Sequence, residues 1–87
     1  MDPKVSIIIV TYNSARWLGD DIQTVFEQDY SNYEVIVVDN ASSDDTVTII
    51  EKKYPNAILI KNDINAGFGV ANNIGVAHAN GELIFFL

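Results

Sequence analysis

Several polar and aromatic side chains follow the ends of apolar runs in this sequence, where a ligand site could be built. Hydroxyls, amides and a carboxylate can hydrogen-bond to a polar ligand, and an aromatic ring can stack on a flat one. If the runs are parallel strands, their carboxyl ends lie at one edge of the sheet, where ligands of open α/β sheets bind. The candidate ligand-binding residues are Thr11, Tyr12, Asn13, Asp39, Asn40, Asn65, Gly67 and Asn72.

Four apolar runs must supply the strands that position these residues. They span residues 5–10, 35–38, 57–60 and 83–87 and are nearly continuous in β-branched, leucine or aromatic side chains. Strands of this kind are typical of parallel sheets buried on both faces. Each run is therefore predicted to be a central parallel strand.

Amphipathic segments separate the four runs, with apolar residues at helical spacing. The apolar faces of the three predicted helices are Leu18, Ile22, Val25 and Phe26; then Val47, Ile50 and Tyr54; then Ala71, Ile74 and either Ala77 or His78. The alternation β-α-β-α-β-α-β predicts an α/β fold with an open parallel sheet of the nucleotide-binding kind, because helical crossovers return the chain to the same end of the sheet.

Local signals mark the ends of two of these helices. Ser42 with Asp45 fits a capping box at the start of the second helix, and Pro55 ends it. Asn80 with Gly81 predicts the stop of the third helix. The start of the second helix at this point also accounts for the acidic side chains of Asp44 and Asp45, because the helix dipole stabilises negative charge at a helix N-terminus.

The composition excludes several classes of partner. The 87 residues carry a formal net charge of -7, which argues against nucleic acid and against an anionic membrane surface. No apolar stretch approaches the ~20 residues needed to span a bilayer. The chain has no cysteine, so it has neither a disulfide nor a thiolate metal site, and a cytoplasmic location is compatible with it.

The chain reads as one domain over residues 1–87. The sequence ends inside a run predicted to be a buried central strand, so we expect the domain to continue beyond residue 87 in a longer protein. The exposed faces that this would leave predict self-association, for example as a homodimer.

Two other nucleotide-site patterns and a receiver domain fit the residues poorly. The segment GFGVANNIG, residues 67–75, opens like a dinucleotide fingerprint, but Asn72 stands where its third glycine belongs and the segment follows the third strand. The Walker A pairing of a lysine with a hydroxyl does not occur. A receiver domain needs paired acids directly after the first strand, where this chain has Thr11, Tyr12 and Asn13.

Three blocks of the sequence together resemble a known family. SIIIVTYN, EVIVVDNASSDDT and NDINAGFGVANNIGVAHANGELIFFL, in this order, are similar to the N-terminal half of inverting family 2 glycosyltransferases, which have the Rossmann-like GT-A fold. The last block looks like the rhamnosyltransferase branch, which favours a dTDP-sugar. The resemblance implies transfer of a sugar from a UDP- or dTDP-sugar to an acceptor with inversion.

The resemblance also implies roles for individual residues. Thr11 and Tyr12 would lie along the base and ribose, and Asp39 would bind the pyrimidine ring. A carboxylate suits this role because uracil and thymine present an N3–H donor, whereas cytosine has an acceptor there. Many relatives carry an arginine at the position of Asn72, near the donor pyrophosphate, and an asparagine cannot supply that positive charge.

Further expectations concern parts that the chain lacks. The resemblance places an aspartate motif that binds Mg²⁺ or Mn²⁺ just after the strand matching GELIFFL, and a general base further on. No metal ligand and no catalytic residue is therefore assigned within this chain, which we expect to be inactive alone. The acceptor would be a sugar, a polysaccharide or a lipid-linked group, and the full protein could lie at the cytoplasmic membrane face. The alternative is a non-catalytic nucleotide-binding or interaction module of the same fold, and an NAD-dependent oxidoreductase is a more distant one.

Overall fold

The computed structural model describes residues 3–16, 18 and 31–87. Its elements are β1 (Val5–Thr11), β2 (Tyr33–Asp39), α1 (Thr46–Lys53), β3 (Ile58–Lys61), α2 (Phe68–His78) and β4 (Leu83–Phe86). All four predicted strands and the last two predicted helices are confirmed. The first predicted helix, apart from Leu18, lies outside the described residues.

The four strands form one parallel sheet in the order β3-β2-β1-β4. β1 and β2 pair along their whole length, from Val5 beside Tyr33 to Thr11 beside Asp39. The chain adds strands on one side of β1 and then crosses to its other side for β4. This reversal is the topological switch point at which open α/β sheets bind ligands.

Two apolar layers cover the central strands. On one face, Ile50 and Tyr54 of the α1 region pack with the buried side chains of Val35, Val37 and Ile9. The Tyr54 hydroxyl donates a hydrogen bond of 2.9 Å to the carbonyl oxygen of Leu18. The predicted core face of this helix is therefore confirmed for Ile50 and Tyr54, whereas Val47 does not belong to this core cluster.

Helix α2 covers the other face through small residues. Ala71 and Gly75 are its buried positions, and Ala71 packs with Ile36 and Val38. A Cβ on Gly75 would lie 2.6 Å from Cγ2 of Ile8, so the helix lies close against β1 because this position is a glycine. The predicted stripe was right for Ala71 but wrong at its C-terminal end, since residues 77 and 78 are exposed.

The prediction of a central strand was wrong for β3, which lies at one edge of the sheet, and in this chain β4 lies at the other edge. Every residue of β4 is exposed, including Phe85 at 61%. The apolar pattern of the sequence indicates a strand but not its position in the sheet. Among the described strands, β4 pairs with β1 alone. Among the described residues, no helix is long and apolar enough to cross a membrane.

Asn80 and Gly81 were predicted to end the third helix, but they do not form a left-handed helix cap. Helix α2 ends at His78 and its C-cap residue, Ala79, is extended. A Cβ on Gly81 would lie 2.5 Å from Oγ of Ser6 and 2.6 Å from its amide nitrogen. This glycine is needed for close approach to β1.

Candidate functional site

The carboxyl ends of the strands place the candidate residues side by side. Thr11 ends β1, Asp39 ends β2 and Lys61 ends β3, and the three are partners in register across the sheet. The ladder extends one residue further, because the Asn40 amide donates to the Thr11 carbonyl oxygen at 2.9 Å. We call this edge, with the loops that follow β1, β2 and β3, the carboxyl rim.

Asp39 is the most deeply buried charged residue of the carboxyl rim, with 1% of its surface exposed. Its Oδ1 accepts hydrogen bonds from the hydroxyls of Thr11 at 2.7 Å and Ser42 at 2.6 Å. Its Oδ2 accepts one from the amide of Ser42 at 2.9 Å. Three donors, one at the end of β1 and two from Ser42 in the loop after β2, therefore converge on one carboxylate.

Asn13 and Ser42 join the loops after β1 and β2. The Asn13 amide donates to Oγ of Ser42 at 2.9 Å, and Oδ1 of Asn13 accepts from the Ser43 amide at 2.8 Å. Asn13 has a φ of 47°, a left-handed conformation that asparagine tolerates better than most residues. The loop thus turns sharply just after Tyr12.

A second link between these loops involves Asp44. Its carboxylate accepts hydrogen bonds from the amide and hydroxyl of Thr46, and from the Ala15 amide at 3.2 Å. The Thr46 hydroxyl in turn accepts from the Ser14 amide at 2.8 Å. The hydrogen bond from the Thr46 hydroxyl is the main cause that lowers the pKa of Asp44.

The predicted capping box of Ser42 with Asp45 is wrong. Asp45 is the N-cap residue of α1 and makes no side-chain capping hydrogen bond, while the Ser42 hydroxyl is directed to Asp39. The acid that bonds at this helix start is Asp44, one residue earlier. A structural role for Asp44 is confirmed, although it extends across to the loop after β1.

Asn40 connects β2 to the loop that precedes α2. Its Oδ1 accepts from Nδ2 of Asn62 at 2.9 Å and from the Ala66 amide at 3.3 Å. Its Nδ2 donates to the carbonyl oxygen of Gly67 at 3.1 Å. The Gly67 amide donates to Oδ1 of Asn65 at 2.9 Å. Asn40, with 3% of its surface exposed, holds this loop from inside.

The carboxyl rim brings most of the predicted residues together and orders them by depth. Thr11, Asp39 and Asn40 are buried beneath it, whereas Tyr12, Asn13, Asn65 and Gly67 are exposed. Asn72 is half-buried on α2 and no described hydrogen bond joins its side chain to the others. Among the described residues that follow β1, Tyr12, 51% exposed, presents a large aromatic side chain to solvent.

Sequence reasoning assigned Ser42 to a helix cap and gave Asn62 and Thr46 no role in organising the site. Ser42 and Thr46 bond to residues about 30 positions earlier, and Asn62 bonds to a residue 22 positions earlier. Short polar residues clustered after a strand were the available signal, because Ser, Thr and Asn hydrogen-bond readily to backbone groups. Their partners depend on strand register, which local sequence does not specify.

The described residues do not fit a metal site. No group of three or more His, Asp or Glu side chains within residues 3–16, 18 and 31–87 could hold a metal ion. Asp39 and Asp44 already accept hydrogen bonds from donors of the chain itself.

A parallel sheet with this strand order and a polar carboxyl rim defines an α/β domain of the nucleotide-binding class. Solved structures with the same arrangement are glycosyltransferases of the GT-A fold. The chain belongs to glycosyl transferase family 2, whose sequence profile matches residues 6–87. The resemblance of the three sequence blocks to family 2 glycosyltransferases is thereby confirmed.

Individual relatives agree with this assignment. The chain is 39% identical over 87 residues to an uncharacterized glycosyltransferase of Nostoc sp., a match that covers 97% of this chain and 27% of the relative. It is 33% identical over 90 residues to the poly(ribitol-phosphate) beta-N-acetylglucosaminyltransferase TarS of Staphylococcus aureus, over 97% of this chain and 16% of that protein.

Two solved structures carry nucleotide sugars. S. aureus TarS 1-349 in complex with UDP-GlcNAc matches with a TM-score of 0.90 at 33% identity. The mannosyltransferase PcManGT from Pyrobaculum calidifontis, in complex with GDP-Man and Mn²⁺, matches with a TM-score of 0.87 at 33% identity. Each match covers 97% of this chain and 26% of the other. The chain thus spans about a quarter of the length of each of these two solved chains.

Proposed function

We propose that this chain forms the donor-nucleotide-binding part of a family 2 glycosyltransferase that transfers a sugar from a nucleotide-sugar donor to an acceptor with inversion. The observation that carries the proposal is the carboxyl rim beside the switch point between β1 and β4. Hydroxyl, amide and aromatic groups meet there on a sheet that is similar to that of a UDP-GlcNAc-binding enzyme. Ligands of open α/β sheets bind at this place.

The exposed ring of Tyr12 is the proposed platform for the nucleotide base. Tyr12 follows β1 directly and is exposed, and the next residue, Asn13, is hydrogen-bonded to Ser42 of the loop after β2. Stacking of a base on an aromatic ring tolerates different bases, because every base presents a flat π face. Asn65 and the backbone near Gly67 lie on the β3 side of the rim, and we propose that they border the same donor.

The choice of base is part of the proposal. UDP and dTDP donors follow from the family resemblance, and UDP-GlcNAc in TarS supports the first of them. PcManGT was solved in complex with GDP-Man, so GDP is the purine nucleotide with which UDP and dTDP are compared. We propose that the pyrimidine donors bind this chain more tightly than GDP.

The remaining components of the reaction lie with the whole protein. We propose that the longer enzyme supplies a divalent metal site and a general base, and that this chain alone has no transferase activity. The proposed acceptor is a sugar, a polysaccharide or a lipid-linked group. A cytoplasmic location goes with this proposal, and the cysteine-free sequence is compatible with a reducing compartment.

Calorimetric titration of the chain with UDP, dTDP, GDP and NAD tests the proposal. We expect UDP or dTDP to bind most tightly and Tyr12→Ala to weaken that binding about tenfold, through loss of stacking. Leu83→Ala is the matched control, because it removes a side chain of similar exposure, 50%, at the opposite end of the sheet. Preferential binding of NAD, or equal effects of the two variants, would contradict the proposed site.

A further inference from the structure

We propose that Asn80 is a site of spontaneous deamidation in the folded chain, at a rate set by the hydrogen bond that holds the Gly81 amide on Ser6. Asparagine is chemically labile in proteins. Asn80 is the one asparagine of the sequence that a glycine follows. A glycine amide has no side chain beside it to hinder a close approach. The site lies at the amino end of the sheet, opposite the carboxyl rim.

The reaction uses two groups of the chain and one water molecule. The backbone nitrogen of Gly81, after losing its proton, attacks the side-chain carbonyl carbon of Asn80. A bond forms between these two atoms, the bond to the side-chain nitrogen breaks, and ammonia leaves. Water then opens the resulting cyclic imide at either of its carbonyl groups, which gives aspartate or isoaspartate with a new carboxylate. No group is oxidised or reduced.

The side chain of Asn80 is accessible for this attack. Residue 80 is exposed. The hydrogen bond described for it is made by its backbone amide, which donates to Oε2 of Glu34 at 2.7 Å. This bond fixes the main chain at residue 80 and does not engage the side-chain carbonyl that reacts.

The attacking nitrogen of Gly81 is restrained in the folded chain. It donates to Oγ of Ser6 at 2.8 Å, and Ser6 is fully buried. The Ser6 hydroxyl donates its own proton to Oε2 of Glu34 at 2.6 Å, so its lone pairs remain for the Gly81 amide. An amide held in this way reacts only after local opening of the segment. The bond to Ser6 therefore slows deamidation.

The packing of β1 requires the glycine that makes Asn80 labile. A Cβ at position 81 would lie 2.5 Å from Oγ of Ser6 and 2.9 Å from the carbonyl oxygen of Lys4. No larger residue fits this close approach without a shift of the backbone. The fold thus keeps a reactive dipeptide at the start of β4 and restrains it with Ser6.

Deamidation weakens the attachment of β4 to β1. Each product places a carboxylate on residue 80, whose backbone amide contacts the carboxylate of Glu34, and like charges repel each other. Isoaspartate also inserts a further carbon atom into the main chain, which moves the Gly81 amide relative to Ser6. The start of β4 is therefore held less firmly after the reaction than before it.

Rates of deamidation, measured by peptide mass spectrometry at one mildly alkaline pH, test the restraint. We expect slower formation of product in the folded wild-type chain than in the same chain in concentrated urea. Ser6→Ala should raise the rate in the folded chain about fivefold to tenfold, the effect of losing one hydrogen bond. Ser31→Ala, at an exposed serine just before β2, is the matched control and leaves the rate unchanged. In urea all three chains should react equally fast.

A second variant keeps the test valid if Ser6→Ala does not fold. Ser6→Cys preserves the shape of the side chain, but its sulfur is a weak acceptor, so it should also accelerate the reaction. Circular dichroism verifies that each variant is folded under the conditions of the rate measurement.

Hydrogen exchange tests the effect of the modification on β4. Asn80→Asp reproduces one of the two products. We expect it to speed exchange of the β4 amides that pair with β1, while the amides between β1 and β2 exchange as in the wild type. Asn73→Asp is the matched control, because residue 73 is exposed on α2 and the change in charge is the same.

Specific outcomes would overturn the proposal. They are absence of product at Asn80 in the folded chain, equal rates in the folded chain and in urea, or an unchanged rate in folded Ser6 variants. Equal exchange of β4 in Asn80→Asp and Asn73→Asp would refute the weakened attachment. No nucleotide enters these measurements, so their outcome is separate from that of the proposed function.

Discussion

Gly67 adopts a backbone conformation that other residues rarely reach. Its φ of 86° and ψ of 164° lie in a region populated essentially by glycine. Its amide and carbonyl groups are held by Asn65 and Asn40, so the conformation is imposed by the loop. A Cβ would meet no atom within 4 Å, so any cost of a side chain here comes from the backbone alone.

We predict that Gly67→Ala destabilises the chain by roughly 1–3 kcal/mol through this strain. Gly69→Ala, two residues further on, is the control, because it also meets open space but has an ordinary helical position. There alanine should stabilise the chain by up to about 1 kcal/mol through its higher helix propensity. Urea unfolding of both variants measures the difference, and equal midpoints would refute the strain argument.

The location of the site at one edge of the sheet could be predicted from the sequence. The burial of its individual residues could not. Thr11, Tyr12, Asp39 and Asn40 follow strands, and parallel pairing requires that they meet at one edge. That Asp39 is enclosed while Tyr12 is exposed depends on hydrogen bonds to Ser42, which lies in another loop. Such partners follow from strand register and turn geometry, and periodicity carries no information on either.

At the scale of elements, Glu34 joins three segments at the amino end of the sheet. Its Oε2 accepts from the Ser6 hydroxyl at 2.6 Å and from the Asn80 amide at 2.7 Å, and its Oε1 lies 3.5 Å from Nζ of Lys4. The Ser6 hydroxyl accepts from the Gly81 amide at 2.8 Å. These bonds hold the start of β4 beside β1.

This arrangement predicts a pH-dependent stability. Burial by itself would raise the pKa of Glu34, but the hydrogen bonds from Asn80 and Ser6 and the charge of Lys4 outweigh it and lower the pKa below 4.5. A carboxyl group whose pKa is lower in the folded than in the unfolded state stabilises the fold. This contribution is complete above the unfolded-state pKa and is lost as the pH falls through the folded-state pKa.

We therefore expect Glu34→Gln to lower the thermal unfolding midpoint at neutral pH, and the difference from wild type to shrink as the pH falls below about 4.5. Glu51→Gln provides the control, because Glu51 pairs with Lys61 on the surface, at 3.7 Å with both side chains more than half exposed. Exposed pairs contribute little. If the difference in unfolding midpoint between Glu34→Gln and the wild type stayed constant from neutral to acid pH, the role of Glu34 would be contradicted.

The order of elements could be predicted from the sequence because their apolar patterns differ in period. β1 and β2 were found within a few residues of their observed ends, and α1 was recognised by Ile50 and Tyr54. The exposure of β3 and β4 was not predictable from the sequence, because an apolar strand has the same residue pattern at the centre and at the edge of a sheet. Their places follow from the strand order β3-β2-β1-β4.

At the scale of the whole molecule, β4 leaves an apolar surface in contact with solvent. The exposed residues of this surface are Leu83, Ile84, Phe85, Phe86 and Leu87, between 39% and 61% exposed. Because β4 lies at the sheet edge, its outer backbone groups face away from β1. Contiguous apolar surface beside an open strand edge favours association with another chain.

We predict that the 87-residue chain self-associates through this surface, with a sedimentation coefficient that rises with concentration. Phe85→Lys should shift the molecule towards the monomer, because it places a charge in the middle of the surface. Ile64→Lys is the matched control: Ile64 is 71% exposed in the loop between β3 and α2, and its replacement changes the net charge by the same amount. A chain that stays monomeric at every concentration, or an equal response of the two variants, would show that β4 does not drive association. Dissociation by the Phe85 change alone would make the apolar surface of β4 the contact between copies.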